Sequence, residues 1–140
     1  MTKLTGICLS IPVYNGQICM ETAESLIKLS VFLTNYKIPF ASIAIGAADL
    51  EAVRNIMLTH WYDHFKHISH LLFVDTDMEF EPSLINNMLA FDKPIIGTYY
   101  AKRQYPLVAV GQSLHDEDLS EVQSGFLKVK AVGTGIMMIQ

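Results

Sequence analysis

The sequence predicts an α/β fold with a mostly parallel central sheet and helices on both of its faces. Short apolar runs rich in β-favouring residues alternate along the chain with stretches of helical length, which is the pattern of βαβ units. Residues 71–74 are continuously apolar, as expected for a central strand that is buried on both faces. Because parallel strands joined through helices connect in a right-handed sense, helices should cover both faces of the sheet.

The individual elements are predicted from apolar runs bounded by Gly, Pro, Asn or capping residues. In chain order they are a strand over 7–13, a helix over 21–36, a strand over 40–45, a helix over 50–65, a strand over 71–74, a helix over 82–91, and strands over 95–97, 127–132 and 136–139. Asp49 is the predicted N-cap of the second helix, and Pro82 suits the first turn of the third. Residues 104–125 are polar and irregular, which predicts a mobile loop or a short hairpin.

Composition narrows the class of protein. The 140 residues predict a single domain, since domains have roughly 100–200 residues, and a hydrophobic fraction of 51% predicts a well-buried core. A net charge of −4, with 10 Lys and Arg spread along the chain, gives no basic stripe, so no nucleic-acid partner is expected. No apolar stretch approaches the ~18–20 residues of a transmembrane segment, so we expect a cytoplasmic protein, with peripheral membrane association as the alternative.

The strongest chemical signal is Asp75-Thr76-Asp77, where the buried third strand is predicted to end. Carboxylates that lie close together at the end of a buried strand repel each other unless a cation neutralises them. Hard oxygen ligands of this kind suit Mg²⁺ or Mn²⁺, which can bridge to a diphosphate and keep several waters. The sequence therefore predicts a divalent metal site here, with solvated turn residues or a helix N-cap before Pro82 as the alternative.

Other D-x-D sites fit the sequence less well. An EF-hand loop would place Gly at its sixth position, where this chain has Phe80, and it would not follow an apolar strand. A phosphatase of the haloacid-dehalogenase type would carry the motif on its first strand, with Thr or Val where this chain has Glu79. The EF-hand is excluded on this pattern, and the phosphatase stays a minor alternative.

The four histidines near the end of the second predicted helix are expected to bind no structural metal. His60 and His64 are one helical turn apart, but the Glu of an H-E-x-x-H zinc helix is absent, because Trp61 follows His60. We expect His60, His64, His67 and His70 to belong to an ordinary helix end, where His also favours the helix dipole.

Taken together, these motifs resemble the GT-A glycosyltransferases of the broad family-2-like group, within the nucleotide-diphospho-sugar transferase superfamily. Residues 11–15 read IPVYN, which matches the opening motif of that group, and residues 73–77 read FVDTD, which matches the last five positions of its hhhDxD motif. Further matches are Arg54-Asn55, Ile96-Gly97, Tyr99-Tyr100 and Gly133-Thr134-Gly135. The resemblance covers nearly the whole chain and implies a GT-A (Rossmann-like) fold over residues 1–140, as one nucleotide-sugar-binding domain.

The resemblance also implies roles for individual residues. The residues implied to bind the nucleotide are Pro12, Val13, Tyr14, Asn15, Arg54, Asp75 and Thr76. The implied ligands of Mn²⁺ or Mg²⁺ are Asp77 and Asp75, and the implied contacts of the donor sugar are Gly133 and Gly135. Tyr14 would stack on the base, and Arg54 would approach the diphosphate or brace Asp75. The plain alternatives are a strand-end aromatic for Tyr14, a solvated helix residue for Arg54, and a turn before a strand for the two glycines.

The implied function is transfer of a sugar from a nucleoside-diphosphate sugar to the hydroxyl of an unknown acceptor, with metal-assisted departure of the diphosphate. Members of the group commonly continue beyond the position that matches Gln140, into a region that helps to bind the acceptor and supplies a catalytic base. The alternative is therefore a nucleotide-sugar-binding module that lacks the acceptor and base region. A GT-A-like nucleotidyltransferase is a minor alternative, because residues 12–17 lack its Gly-rich phosphate loop.

Overall fold

The computed structural model describes residues 3–100, 105–106, 112–113 and 128–140. Within these residues the strands are β1 (Ile7–Val13), β2 (Phe40–Gly46), β3 (His70–Val74), β4 (Ile95–Gly97), β5 (Gln112–Ser113), β6 (Val129–Ala131) and β7 (Ile136–Ile139), and the helices are α1 (Met20–Asn35), α2 (Leu50–His64) and α3 (Pro82–Phe91). Strands and helices alternate from β1 to β4, so the α/β fold predicted from the sequence is confirmed.

The main sheet has five strands in the order β2-β1-β3-β7-β4. β1 lies between β2 and β3 and is parallel to both. β7 is antiparallel to both of its neighbours, β3 and β4. Because β4 consequently runs in the same direction as β3, β7 is the one reversed strand, and the sheet is mostly but not purely parallel.

Helices pack on both faces of this sheet, because the side chains of the central strands alternate between two cores. On one face Leu72 and Val74 of β3 belong to a core cluster with residues of α1 and α3, including Leu29 and Ile85. On the other face Leu71 and Phe73 of β3 pack with residues of α2. All five residues of β3 are buried, as the continuously apolar sequence predicts for a central strand.

The helix ends follow the capping residues of the sequence. The Asp49 side chain accepts hydrogen bonds from the backbone N–H groups of Glu51 and Ala52, and it caps the start of α2. Pro82 stands in the first turn of α3, where its missing N–H costs no helical hydrogen bond. Within the described ranges, no helix is long and apolar enough to cross a membrane.

One described strand lies outside the main sheet. Of the strand expected over 127–132, residues 129–131 form β6, which pairs with β5 in a separate, antiparallel two-stranded sheet, and residue 127 lies outside the described residues. Lys130 and Ala131 of β6 are exposed, so this strand has too little apolar surface to be buried in the main sheet. Most of the loop or hairpin predicted over 104–125 lies outside the described residues.

Candidate functional site

Polar residues follow β1 and β3 at the same edge of the sheet. The two strands are parallel neighbours, in a register that runs from Ile7 opposite His70 to Ser10 opposite Phe73, so they end side by side. Ligands of open α/β sheets bind beyond such carboxyl ends. A backbone hydrogen bond of 2.8 Å joins the two segments, because the N–H of Cys19 before α1 donates to the carbonyl of Thr76.

Arg54 reaches this edge from α2 and forms an ion pair with Asp75. Its Nη2 donates to Asp75 Oδ1 at 2.5 Å, and the two side chains are only 19% and 26% exposed. Arg54 lies next to Val53, which is buried in the core between α2 and the sheet, and so one helix both packs on the sheet and delivers the guanidinium. Of the two roles that the resemblance implies for Arg54, the structure provides the contact with Asp75.

The environment of Asp75 disfavours its charged form. Burial raises the pKa of the Asp75 carboxyl above its ordinary value, the hydrogen bond and positive charge of Arg54 lower it, and the negative charge of Asp77 raises it again. Burial is the largest of these effects, so the pKa remains raised even though Arg54 is paired with the carboxylate. A further cation near Asp77 would relieve the repulsion between the two acids.

A divalent cation at the acidic turn would need further ligands from outside this turn. No group of three or more His, Cys, Asp or Glu side chains is close enough to hold a metal ion in the described part of the chain. Mg²⁺ does not require such a cage, because it is usually held by one or two carboxylates together with substrate phosphates and waters. Asp75 already shares one carboxylate oxygen with Arg54, and Asp77 is the second carboxylate of this turn.

The loop after β1 combines buried and exposed positions. Pro12 is buried, whereas Tyr14 is 51% exposed and Asn15 is exposed. The Val13 carbonyl accepts a hydrogen bond from the Ala47 N–H after β2, which holds the end of the strand in place. Asn15 adopts a left-handed backbone conformation with φ of 54°, which Asn tolerates better than most residues. The ring of Tyr14 is therefore accessible to a planar ligand.

The glycines before β7 approach protein side chains closely. The Gly135 carbonyl accepts a hydrogen bond of 2.8 Å from the Asp75 N–H, and the Gly135 N–H donates to the Tyr100 hydroxyl at 3.0 Å. A Cβ atom at Gly135 would lie 2.9 Å from the Tyr100 ring and 3.0 Å from Met78 Sδ. Gly133 is buried, and its carbonyl lies 3.1 Å from the position of a Cβ atom on Gly97.

Sequence reasoning did not single out Tyr100 or Cys19 as neighbours of the acidic turn. The sequence indicates Tyr100 only as part of a Tyr-Tyr pair after β4, and the contact of Tyr100 with Gly135 depends on β4 and β7 being paired. The only signal in the sequence was Gly135 itself, because a glycine before a strand indicates a close approach of another group.

Comparison with known proteins identifies the fold but no family. No protein-family model and no curated protein sequence matches this chain. Among solved structures, the chain is similar to A197 from STIV, with a TM-score of 0.59 and 16% sequence identity. The similarity covers 96% of this chain but 64% of A197, so the chain spans about two thirds of the length of that protein. At this identity the similarity establishes a shared fold, and any shared chemistry is a separate question.

The histidines lie away from the acidic turn, around the end of α2. The rings of His60 and His64 are 4.6 Å apart, and both side chains are exposed. His70 differs, because it is only 4% exposed at the start of β3 and its Nδ1 lies 2.7 Å from Ser69 Oγ. Burial lowers the pKa of His70, which favours the neutral ring.

Proposed function

We propose that this chain is the donor-binding domain of a metal-dependent glycosyltransferase. It binds a nucleoside-diphosphate sugar through Mn²⁺ or Mg²⁺ at Asp75-Thr76-Asp77 and transfers the sugar to an acceptor hydroxyl. The observation that carries the proposal is the ion pair between Arg54 and Asp75 at the carboxyl end of β3, beside the end of β1. An arginine and closely spaced acids at this edge supply both signs of charge that a metal diphosphate requires.

The charges of the site support a metal diphosphate rather than a free one. Asp75 and Asp77 would repel a diphosphate, and the negative charge of Asp77 already raises the pKa of Asp75. A divalent cation held by Asp77 reverses the local charge and can bind phosphate oxygens in its remaining positions. When bound, it would supply electrostatic stabilisation of the negative charge that develops on the departing diphosphate.

The protein residues divide the remaining work of donor binding. Tyr14 offers an exposed ring on which the base can stack, beside the exposed Asn15. Arg54 holds the Asp75 carboxylate in one orientation, and the free oxygen of that carboxylate can accept a hydrogen bond from a ribose hydroxyl or a metal-bound water. These contacts fix the donor at the edge of the sheet, so that the sugar faces the acceptor.

A thermal-shift screen tests donor binding. UDP, GDP, ADP, CDP and dTDP, and sugars linked to them, are added with Mn²⁺ or with a chelator, since a ligand that binds only the folded state raises its apparent stability. We expect at least one nucleotide to stabilise the protein with Mn²⁺ and none to do so with chelator. Asp77→Asn should lose this stabilisation, whereas Asp63→Asn, which removes an exposed carboxylate from α2, is the matched control and should keep it.

Release of nucleoside diphosphate from the donor sugar then separates an enzyme from a binding module. Sustained release with water or an added sugar as acceptor is the result that transfer activity predicts. Binding without turnover would instead identify a nucleotide-sugar-binding module. No stabilisation by any nucleotide in the presence of Mn²⁺ would refute the donor site itself.

A further inference from the structure

We infer that Tyr100 is a positioning residue for the acidic turn, and that it acts through the backbone of Gly135. The inference rests on the proposed function in one respect, because it assumes that the geometry of Asp75 and Asp77 determines metal binding. Tyr100 follows β4, and its hydroxyl accepts a hydrogen bond from the Gly135 N–H, while the Gly135 carbonyl accepts one from the Asp75 N–H. Two hydrogen bonds therefore connect the Tyr100 side chain to the main chain of Asp75.

Packing reinforces this connection. The ring of Tyr100 and the sulfur of Met78 both lie where a side chain of Gly135 would be, at 2.9 and 3.0 Å from the position of its Cβ atom. Gly135 is buried, so its N–H has no ready access to water as a replacement for the tyrosine hydroxyl. Because Met78 directly follows Asp77, Gly135 packs closely against both the Tyr100 ring and the residue after the acidic turn.

The connection reaches the charged groups of the site. Asp75 contributes its N–H to Gly135 and its carboxylate to Arg54, so a displacement of Gly135 would change the direction in which the carboxylate leaves the strand. Small displacements matter at metal sites, because loss of a group that orients a metal ligand typically weakens metal affinity by about 10-fold to 100-fold. The hydroxyl of Tyr100 is thus expected to influence metal binding without touching the metal.

Tyr100→Phe tests this inference, with Tyr99→Phe as the matched control. Tyr99 is the adjacent residue and is 75% exposed, so the control removes the same group from a solvated side chain. Amide hydrogen exchange should become about fivefold to tenfold faster at Gly135 and Asp75 in Tyr100→Phe, as expected for the loss of one hydrogen bond, and should be unchanged at Leu71. Tyr99→Phe should exchange like the wild type.

Binding of Mn²⁺, alone and with the nucleoside diphosphate that gives the largest thermal shift, is the second readout and is followed by the electron paramagnetic resonance signal of the ion. We expect Tyr100→Phe to weaken Mn²⁺ binding by about tenfold, and Asp77→Asn to weaken it at least as much. Gly135→Ala is a second variant with the hydroxyl intact, since its Cβ atom would push the Tyr100 ring away, and it should have the same effect on Asp75.

Two results would overturn the inference. Unchanged exchange at Asp75 in Tyr100→Phe would show that the hydroxyl does not hold this residue. Faster exchange with unchanged Mn²⁺ binding, while Asp77→Asn loses it, would show that the contact is structural only. Failure of the wild type to bind Mn²⁺ both alone and with a nucleoside diphosphate would refute the proposed function instead, and the exchange rates alone would then decide whether Tyr100 holds Asp75.

Discussion

Replacing Arg54 with Met would leave the Asp75 carboxylate buried without its cation. Met keeps much of the length of the arginine side chain, so the substitution removes the charge and the hydrogen bond more than it removes packing. Because burial already raises the pKa of Asp75 and Arg54 opposes that effect, the pKa should rise further in Arg54→Met. The variant should be less stable than the wild type at neutral pH.

The size of the effect follows from the burial of the pair. The two side chains are 19% and 26% exposed, so the pair is intermediate between an exposed and a buried ion pair. An exposed pair contributes about 0.2–1 kcal/mol to stability, and removing one partner of a buried pair costs about 3–5 kcal/mol. We expect a coupling energy of about 2 kcal/mol between Arg54→Met and Asp75→Asn, from the free energies of unfolding of the wild type, both single variants and the double variant.

Urea unfolding measures these four free energies, with equal m-values as a check that the unfolded states are comparable. The pair of Lys28 and Glu81 is the matched control, because it has the same type of contact at 2.9 Å but side chains that are 50% and 67% exposed. Its coupling should be close to the experimental error. A coupling between Arg54 and Asp75 no larger than that of the control would refute the contact as described.

The pH dependence of the stability of Arg54→Met is a second, independent test of the environment of Asp75. A raised pKa in the folded state means that the folded protein binds a proton more readily than the unfolded chain does. Stability associated with protonated Asp75 is therefore present at low pH and is lost as the pH rises through the raised pKa. The deficit of Arg54→Met relative to the wild type should shrink on acidification, and a constant deficit would contradict the account of Asp75.

Three further variants test the fold. Burial lowers the pKa of His70 below its ordinary value of 6.5, so on acidification the unfolded chain takes up a proton before the folded protein does. The free energy of unfolding should therefore fall as the pH drops below about 6.5. His70→Asn should flatten that pH dependence, as measured by urea unfolding at several pH values. Asp49→Ala removes the cap of α2 and should cost about 1 kcal/mol in the free energy of unfolding. Gly97→Ala would place a Cβ atom 3.1 Å from the Gly133 carbonyl and against Val132, and should lower the melting temperature, whereas a neutral result would contradict the close packing of β4.

Much of the fold was predictable because local patterns determine it. Residues 7–13, 82–91, 95–97 and 136–139 form the predicted elements with unchanged bounds, since apolar runs and capping residues mark their ends. The position of β7 between β3 and β4 was not predictable in this way. Periodicity identifies a strand but gives neither its neighbours nor its direction, and those depend on how the chain crosses the sheet.

The candidate site was predictable only in part, for the same reason. The sequence singled out Arg54 and Asp75, which are 21 positions apart, but could not decide between a contact with a ligand and a contact between the two. Their contact depends on α2 packing on the same face of the sheet as Leu71 and Phe73 of β3. The chain of hydrogen bonds from Tyr100 through Gly135 to Asp75 joins segments even farther apart in sequence, and it became visible only through the pairing of β7 with both β3 and β4.

The central claim, that this edge of the sheet binds a nucleoside diphosphate through a metal held by the acidic turn, is tested most directly by calorimetric titration. The nucleoside diphosphate that gives the largest thermal shift is titrated into the wild type and Asp77→Asn, each with Mn²⁺ and with chelator. We predict that Mn²⁺ tightens nucleotide binding to the wild type. In the presence of Mn²⁺, Asp77→Asn should bind the nucleotide about tenfold more weakly than the wild type while keeping its fold. Equal affinities in all four titrations would contradict the account.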